Sequence, residues 1–345
     1  MHKSKQDNFL RNQWYVAASS NEIETGCIKS LVILGEPIII GRSKQGELFS
    51  ISDNCPHRGT LLSLGTFDGS EIECPYHGWR FNTSGKCTLI PSQMKNHTQQ
   101  ANDIEVKSYP LKEYMGIIWI YMDYNKNVEP FPKIENKNFF LKLYVKKTFD
   151  CNIDLAVTGL MDPAHGSFVH TSSIWRKKRD TREKKKILKP IRNGWKIETH
   201  KVSSNSKAYR LFLGSEPESK ISYFLPGIRH EITTTNKYFY SGLTACTPID
   251  NSKTTVHHFM YWNVPGGVFL KFIIKKLAIN FLNQDAKAVI WMKEGKKYSK
   301  REFLIDDADL QIKWYYKLKK NWSRYCSDND KFTNPIKETV ARWKS

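Results

Sequence analysis

Apolar and polar positions alternate over short runs in the first third of the chain. Ser30–Arg42 (SLVILGEPIIIGR) holds two β-branched runs broken by Gly35 and Pro37, Glu47–Ser52 (ELFSIS) alternates, and Met115–Met122 (MGIIWIYM) is almost wholly apolar. β-Branched and aromatic residues between turn formers read as strands. This region is therefore predicted to be all-β, with loops at Asp53–Gly59 and Cys74–Trp79. The polar, proline-containing segment Asp123–Asn138 then breaks the pattern. It divides the chain into a first domain at 1–125, a linker at 126–139 and a second domain at 140–345.

Beyond the linker the period changes. From Asp150 to His170, the residues Leu155, Gly159, Asp162, His165 and Phe168 recur at three- and four-residue steps, which predicts a helix carrying polar groups inward, kinked or restarted at Pro163. Six segments then read as strands of one antiparallel sheet: Gly194–His200, Lys207–Leu213, Lys220–Leu225, Arg229–Thr235, Lys237–Thr247 and Thr254–Val264. Helices are predicted over Val268–Glu294 and Ala308–Lys320. The second domain is thus α+β.

Composition narrows the class. With 345 residues, 40% hydrophobic and 13% aromatic, the chain can bury two cores, and a disordered or collagen-like chain is excluded. The polar start, Met1–Trp14, lacks the apolar core of a secretory signal, so a cytoplasmic location is expected. Val268–Leu282 is interrupted by Lys271, Lys275 and Lys276 and is shorter than the roughly 20 apolar residues a bilayer span needs. Its broad apolar face suits either a membrane surface or a buried helix, and the buried helix is preferred because a metal ligand follows it. Seven cysteines, an odd number spread over a long chain, favour reduced thiols and metal ligation over a disulfide scaffold. The formal charge of +20 would draw anionic partners, although an AT-rich genome raises Lys, Asn and Ile together. No nucleic-acid reader motif accompanies it, so nucleic-acid binding is not expected. The basic run at 176–186 reads as a solvated loop, with docking of an acidic ferredoxin or guidance of an anionic substrate as the alternatives.

The most specific chemistry lies in two loops. In Cys55-Pro56-His57-Arg58-Gly59, His57 is followed, after the sixteen residues 58–73, by Cys74-Pro75-Tyr76-His77-Gly78-Trp79. Each loop supplies one thiolate and one imidazole, which suits a [2Fe-2S] cluster with two cysteines on one iron and two histidines on the other. Neutral imidazoles in place of two thiolates ease reduction, to about −150 to +300 mV against about −400 mV for an all-cysteine plant-type cluster. Structural zinc is the alternative, but zinc loops place their ligands two to four residues apart, whereas one residue separates Cys55 from His57. CPHRG with CPYHGW resembles the Rieske domain of the aromatic-ring-hydroxylating oxygenases.

About ninety residues on, Asp162-Pro163-Ala164-His165-Gly166-Ser167-Phe168-Val169-His170 sets two histidines five apart, with an aspartate three before the first. Two imidazoles and a carboxylate on one face of Fe(2+) leave positions open for O2 and substrate. The segment resembles the Asp-x-x-His-x-x-x-x-His motif of the same oxygenase family. That resemblance implies that His165 and His170 bind iron and that Asp162 links the two metal centres. Some relatives carry an Asn three residues before this aspartate; Gly159 stands there in this chain. For the third ligand, Asp285 resembles the Gln-Asp turn of the demethylase-like branch. Phe281, Leu282, Val289 and Ile290 around it suggest a buried side, where a carboxylate needs a cation. Glu294, Asp306 and Asp307 compete with it.

The resemblance implies a Rieske domain followed by a helix-grip-like catalytic domain, in an oxygenase that hydroxylates or O- or N-demethylates a small organic substrate. A monooxygenase or demethylase is favoured over a ring dioxygenase. No GxGxxG between strand and helix and no plant-type cluster motif is found, so electrons must come from a separate ferredoxin or flavin reductase. The family's head-to-tail trimer would bring Asp162 to His77 of a neighbouring subunit. The competing function is a Rieske electron carrier or regulator without turnover, and the set His165, His170 and Asp285 discriminates against it. Leu155, Phe168, Trp175 and Ile290 are pocket candidates, although such spacing is more common in core.

Overall fold

The computed structural model describes residues 9–94, 101, 103–123, 128–137, 140–170, 182–202, 207–266, 271–299, 301–328 and 332–345. It divides into two compact units: Trp14–Glu129, and Pro130–Ser345 with the segment ending at Gln13.

The first unit is all-β. Its strands are β1 (Gln13–Ser19), β2 (Cys27–Ile33), β3 (Glu36–Arg42), β4 (Leu48–Ser52), β5 (Thr66–Phe67), β6 (Glu71–Glu73), β7 (Arg80–Asn82), β8 (Cys87–Leu89), β9 (Leu111–Tyr114) and β10 (Ile117–Met122). They form three small sheets, ordered β1-β10-β9, β2-β3-β4 and β5-β6-β7-β8. Every residue of β10 is buried, which accounts for its unbroken apolar run. Ile39, Phe49, Ile51, Leu62, Ile72 and Phe81 form a core into which Cys55, Cys74 and Cys87 also pack.

The second unit is built on an eight-stranded antiparallel sheet of β11 (Leu141–Phe149), β12 (Glu183–Ile191), β13 (Gly194–Lys201), β14 (Glu218–Phe224), β15 (Ile228–Thr234), β16 (Phe239–Pro248), β17 (Thr254–Trp262) and β18 (Thr339–Lys344), in the order β11-β17-β16-β15-β14-β13-β12-β18. Its helices are α1 (Ile153–Met161), α2 (Gly166–Val169), α3 (Lys207–Leu213), α4 (Lys271–Gly295) and α5 (Leu310–Asp328). Helix α4 packs on β11 and α1, and α1 also touches β16, β17 and α5. Trp195 of β13 holds α5 on the sheet, with its Nε1 donating to Gln311 Oε1 at 3.1 Å and its ring edge-on to Trp314.

Several expectations are corrected. Lys207–Leu213, read as a strand, is helix α3: Leu213 is buried and Leu211 is 87% exposed, so its apolar residues do not share one pleated face. Strands β11, β12 and β18 enlarge the expected sheet. The expected helix 308–320 runs on to Asp328, with Tyr315, Leu318 and Trp322 forming one buried stripe. Of the basic run, 176–181 and also Trp175 lie outside the described residues; Arg182 precedes β12 and Glu183–Lys186 form its first half. Among the described residues no helix is long and apolar enough to cross a membrane.

Candidate metal centres

The two cysteine-histidine loops share one backbone design. In each, the cysteine N–H donates to the carbonyl five residues on (Cys55 to Thr60 at 2.9 Å, Cys74 to Trp79 at 2.8 Å), and the glycine N–H returns to the cysteine carbonyl (Gly59 to Cys55 at 2.8 Å, Gly78 to Cys74 at 3.0 Å). Gly59 and Gly78 close these turns at φ +74° and +69°, a region costly for any side chain. Only the histidine differs, standing two residues after Cys55 and three after Cys74.

The consequence is a sorted donor set. Cys55 and Cys74 are 2% and 3% exposed and lie in mutual contact, whereas the His57 and His77 rings meet 4.6 Å apart, one half-buried and the other exposed. Burial, with Cys74 alongside, pushes the Cys55 thiol up, so two adjacent thiolates call for a cation between them. Burial, then His77 and Arg58, pushes His57 down toward the neutral imidazole that a metal accepts. Trp79 lies flat on His57 at 4.6 Å, and its buried Nε1 has no protein partner. Paired thiols inside and paired imidazoles outside fit a cluster with one cysteine-bound and one histidine-bound iron.

One anchor of this region carried no sequence signal. Asp53 is fully buried and accepts from Ser30 Oγ at 2.6 Å, Ser63 N at 2.7 Å and Ser63 Oγ at 2.6 Å, while its own N–H donates to the Pro37 carbonyl. It pins the start of the Cys55 loop to its neighbours.

The second site begins at the end of α1. Asn152 caps that helix by accepting from Leu155 N at 3.0 Å, and Asp162 N–H makes its last bond, to the Thr158 carbonyl, before Pro163 stops it. Asp162 Oδ1 accepts from Ala164 N at 2.7 Å, turning the chain into α2 with His165 and His170 at its two ends. Asp285 comes from α4. The ligand atoms of His165, His170 and Asp285 lie within 4.8 Å of one another.

Hydrogen bonds orient this group. His165 Nδ1 donates to the Asp162 carbonyl at 2.8 Å, and His170 Nδ1 to Gln284 Oε1 at 3.0 Å. Each neutral ring therefore turns Nε2 inward as the lone-pair nitrogen. The two Nε2 atoms are 3.3 Å apart, and Asp285 Oδ1 is 3.5 Å from that of His165 and 3.2 Å from that of His170. Three ligands about 2.1 Å from one ion and at right angles are about 3.0 Å apart, so the three atoms match one face of a coordination shell. Burial raises the Asp285 carboxyl, but the two histidines hold it below its ordinary value; burial lowers His165, and Asp285 with Asp162 more than reverses this. The His170 ring also stacks on Phe281 at 3.5 Å.

The competing carboxylates stand elsewhere: Glu294 pairs with Lys297, Asp306 is fully exposed beside Lys313, and Asp307 is exposed. Around Asp285, Leu282 and Val289 are buried, but Phe281 and Ile290 are 37% and 39% exposed, so the expected apolar surround is half complete. Among the pocket candidates, Leu155 is buried and Phe168 is 55% exposed. Gln284 and Phe281 are legible in the sequence as neighbours of Asp285, but their contacts with His170 are not; the side-chain amide beside the carboxylate is the available clue.

A family profile for the Rieske [2Fe-2S] domain matches residues 13–110. The 3-chlorobenzoate-3,4-dioxygenase oxygenase subunit of Comamonas testosteroni is 31% identical over 172 residues, 48% of this chain and 39% of that protein. Cholesterol 7-desaturase of Xenopus laevis is 25% identical over 350 residues, covering 92% of this chain and 72% of that protein. This chain spans about half or less of most of the curated relatives it matches, from 25% to 50% among the first six. The crystal structure of dicamba monooxygenase bound to 3,6-dichlorosalicylic acid superposes with a TM-score of 0.74 at 21% identity, covering 90% of this chain and 98% of that one, a likeness of fold.

Proposed function

As a chain that carries a Rieske [2Fe-2S] domain and whose relatives and structural neighbours are Rieske non-haem iron oxygenases, this protein is, we propose, the oxygenase component of a multi-component system acting on a small organic substrate. Cys55, His57, Cys74 and His77 hold the cluster; His165, His170 and Asp285 hold Fe(2+). The observation that carries the reading is the convergence of two Nε2 atoms and one carboxylate oxygen, each histidine tied at Nδ1. When bound, the iron supplies O2 reduction, in which substrate RH, O2, two electrons and two protons give ROH and water.

The residues of the chain set the conditions for that chemistry. Asp285 offsets part of the ion's charge, and the bonds to Gln284 and to the Asp162 carbonyl fix both rings before metal arrives, so little reorganisation accompanies binding. Asp162 is the link between the centres: its carbonyl holds His165, and its carboxylate Oδ2 lies 3.7 Å from the same Nδ1. Electrons come from a separate ferredoxin or flavin reductase, a reading supported by relatives described as an oxygenase subunit, an iron-sulfur subunit and an oxygenase component. Monooxygenation or demethylation is favoured over ring dihydroxylation, and the chain works as a homotrimer. The seven cysteines, none in a disulfide, suit the reducing cytoplasm.

The test is elemental and spectroscopic. The purified protein is expected to hold about three iron and two labile sulfides per chain, with a Rieske signal by electron paramagnetic resonance after reduction. Asp285→Ala is expected to lose about one iron, keep the signal and abolish substrate-dependent O2 uptake. Retained mononuclear iron and unchanged product would overturn the ligand set or the enzyme reading.

A further inference from the structure

The helix-covered face of the large sheet carries polar groups where aliphatic packing would be the default. Strand register places Arg229, Thr244 and His258 side by side on β15, β16 and β17, with Glu231 opposite Gly242 in the next row of the same face. Helices cover this face: Tyr209 of α3 reaches down to Glu231 Oε1 at 3.0 Å, and Val157 of α1 meets the end of β16 near Cys246. Arg229 and Glu231 nevertheless keep 22% and 12% of their side-chain surface exposed, so they border open space.

Almost every member of this patch is fully engaged. Glu231 accepts from Arg229 at 2.6 Å, from Tyr209 and, at 3.2 Å, from Ser219; His258 Nδ1 pairs with Thr244 Oγ1 at 2.8 Å. The exception is the pair Tyr240 Oη and His258 Nε2, which face each other at 3.5 Å, the outer limit of a hydrogen bond. Gly242 lies between them. A Cβ there would come to 3.0 Å from Tyr240 Oη and 3.3 Å from His258 Cε1, so only a glycine lets the two rings close over this point of the sheet.

We propose that Tyr240 Oη and His258 Nε2 form a two-point clamp for a neutral hydroxyl or carbonyl oxygen of the substrate, and that the site prefers uncharged oxygenated molecules to carboxylates. The clamp adapts to either group because the Thr244 hydroxyl can donate to or accept from Nδ1, leaving Nε2 as acceptor or donor. A carboxylate finds no unpaired side-chain cation in this patch, since Arg229 is already neutralised by Glu231, and Tyr240 and the neutral His258 offer it no charge to pair with. Burial, with Arg229 nearby, pushes His258 down to about 4, so its ring is neutral at working pH. This specificity rests on the oxygenase reading for its chemistry, but not for its binding.

The test is calorimetric, on full-length protein as purified and after addition of Fe(2+), at pH 7.5, with 2-naphthol and 2-naphthoate as matched neutral and anionic probes. 2-Naphthol is expected to bind at least about tenfold tighter than 2-naphthoate. Tyr240→Phe and His258→Leu are each expected to weaken 2-naphthol about tenfold and to change 2-naphthoate little, with the cluster signal and thermal midpoint confirming an intact fold. Equal or tighter binding of 2-naphthoate, no binding of 2-naphthol, or unchanged 2-naphthol affinity in both variants overturns the clamp. Failure of the oxygenase reading shows separately, as missing mononuclear iron or absent O2 uptake with the binding preference intact.

Discussion

At the scale of single residues, the supports of a site matter as much as its ligands. Gln284 fixes the His170 tautomer from the position next to Asp285, so one turn of α4 supplies both a ligand atom and the orientation of another. Gln284→Ala is expected to weaken Co(II) binding, titrated by its absorption bands, about tenfold to a hundredfold while leaving the cluster spectrum unchanged. Asp53 plays the matching part for the Cys55 loop. Asp53→Ala strands two serine hydroxyls and an amide, and is expected to cost about 3 kcal/mol by denaturant unfolding and to lower labile sulfide. His230 sets a pH dependence. It is 3% exposed, bonded to Ser241 Oγ at 2.8 Å, and pushed down to about 4 by burial. The unfolded chain takes up this proton near 6.5, so below that pH protonation favours unfolding and stability falls until about pH 4. Between pH 7 and pH 5 His230 is expected to contribute about 2 kcal/mol of lost stability, and His230→Gln is expected to reduce the measured loss by about that amount.

At the scale of elements, the second site depends on how closely α1 approaches α4. Gly159 faces α4, where an added Cβ would lie 3.3 Å from Val289 Cγ2, and Val289 is buried one turn beyond Asp285. Gly159→Asn, the residue some relatives carry, would press on α4 at that turn. Lower mononuclear iron content is expected, with partial recovery in Gly159→Asn with Val289→Ala, measured by metal analysis. The same contrast separates what was legible in the sequence from what was not. Metal-binding side chains in tight loops announce themselves, because Cys, His and a closing Gly must follow one another within five residues. Strands β11 and β12 carry no clear strand pattern because lysines line their exposed faces, and α3 resembles a strand because Tyr209, Leu211 and Leu213 fall at two-residue steps. The clamp was illegible because Tyr240 and His258 meet only across the register of two strands.

At the scale of the molecule, electron delivery separates two architectures that share every residue so far named. If each chain serves its own iron, a variant lacking the cluster and a variant lacking the iron remain inactive when combined. If the cluster of one subunit serves the iron of the next in a ring of three, they complement. His77→Ala removes a cluster ligand and leaves the iron set; Asp285→Ala does the reverse. Co-expressed in equal amounts and assembled at random, the two would give a competent cluster feeding a competent iron at about a quarter of the junctions, since each junction needs one partner of each kind in the right order. Substrate-dependent O2 uptake near that fraction of wild type, in a species of about three times 40.2 kDa by light scattering, is the expected result. Inactivity of the mixed assembly at the same mass would assign electron transfer to a single chain and remove the reason for Asp162 to face a neighbour.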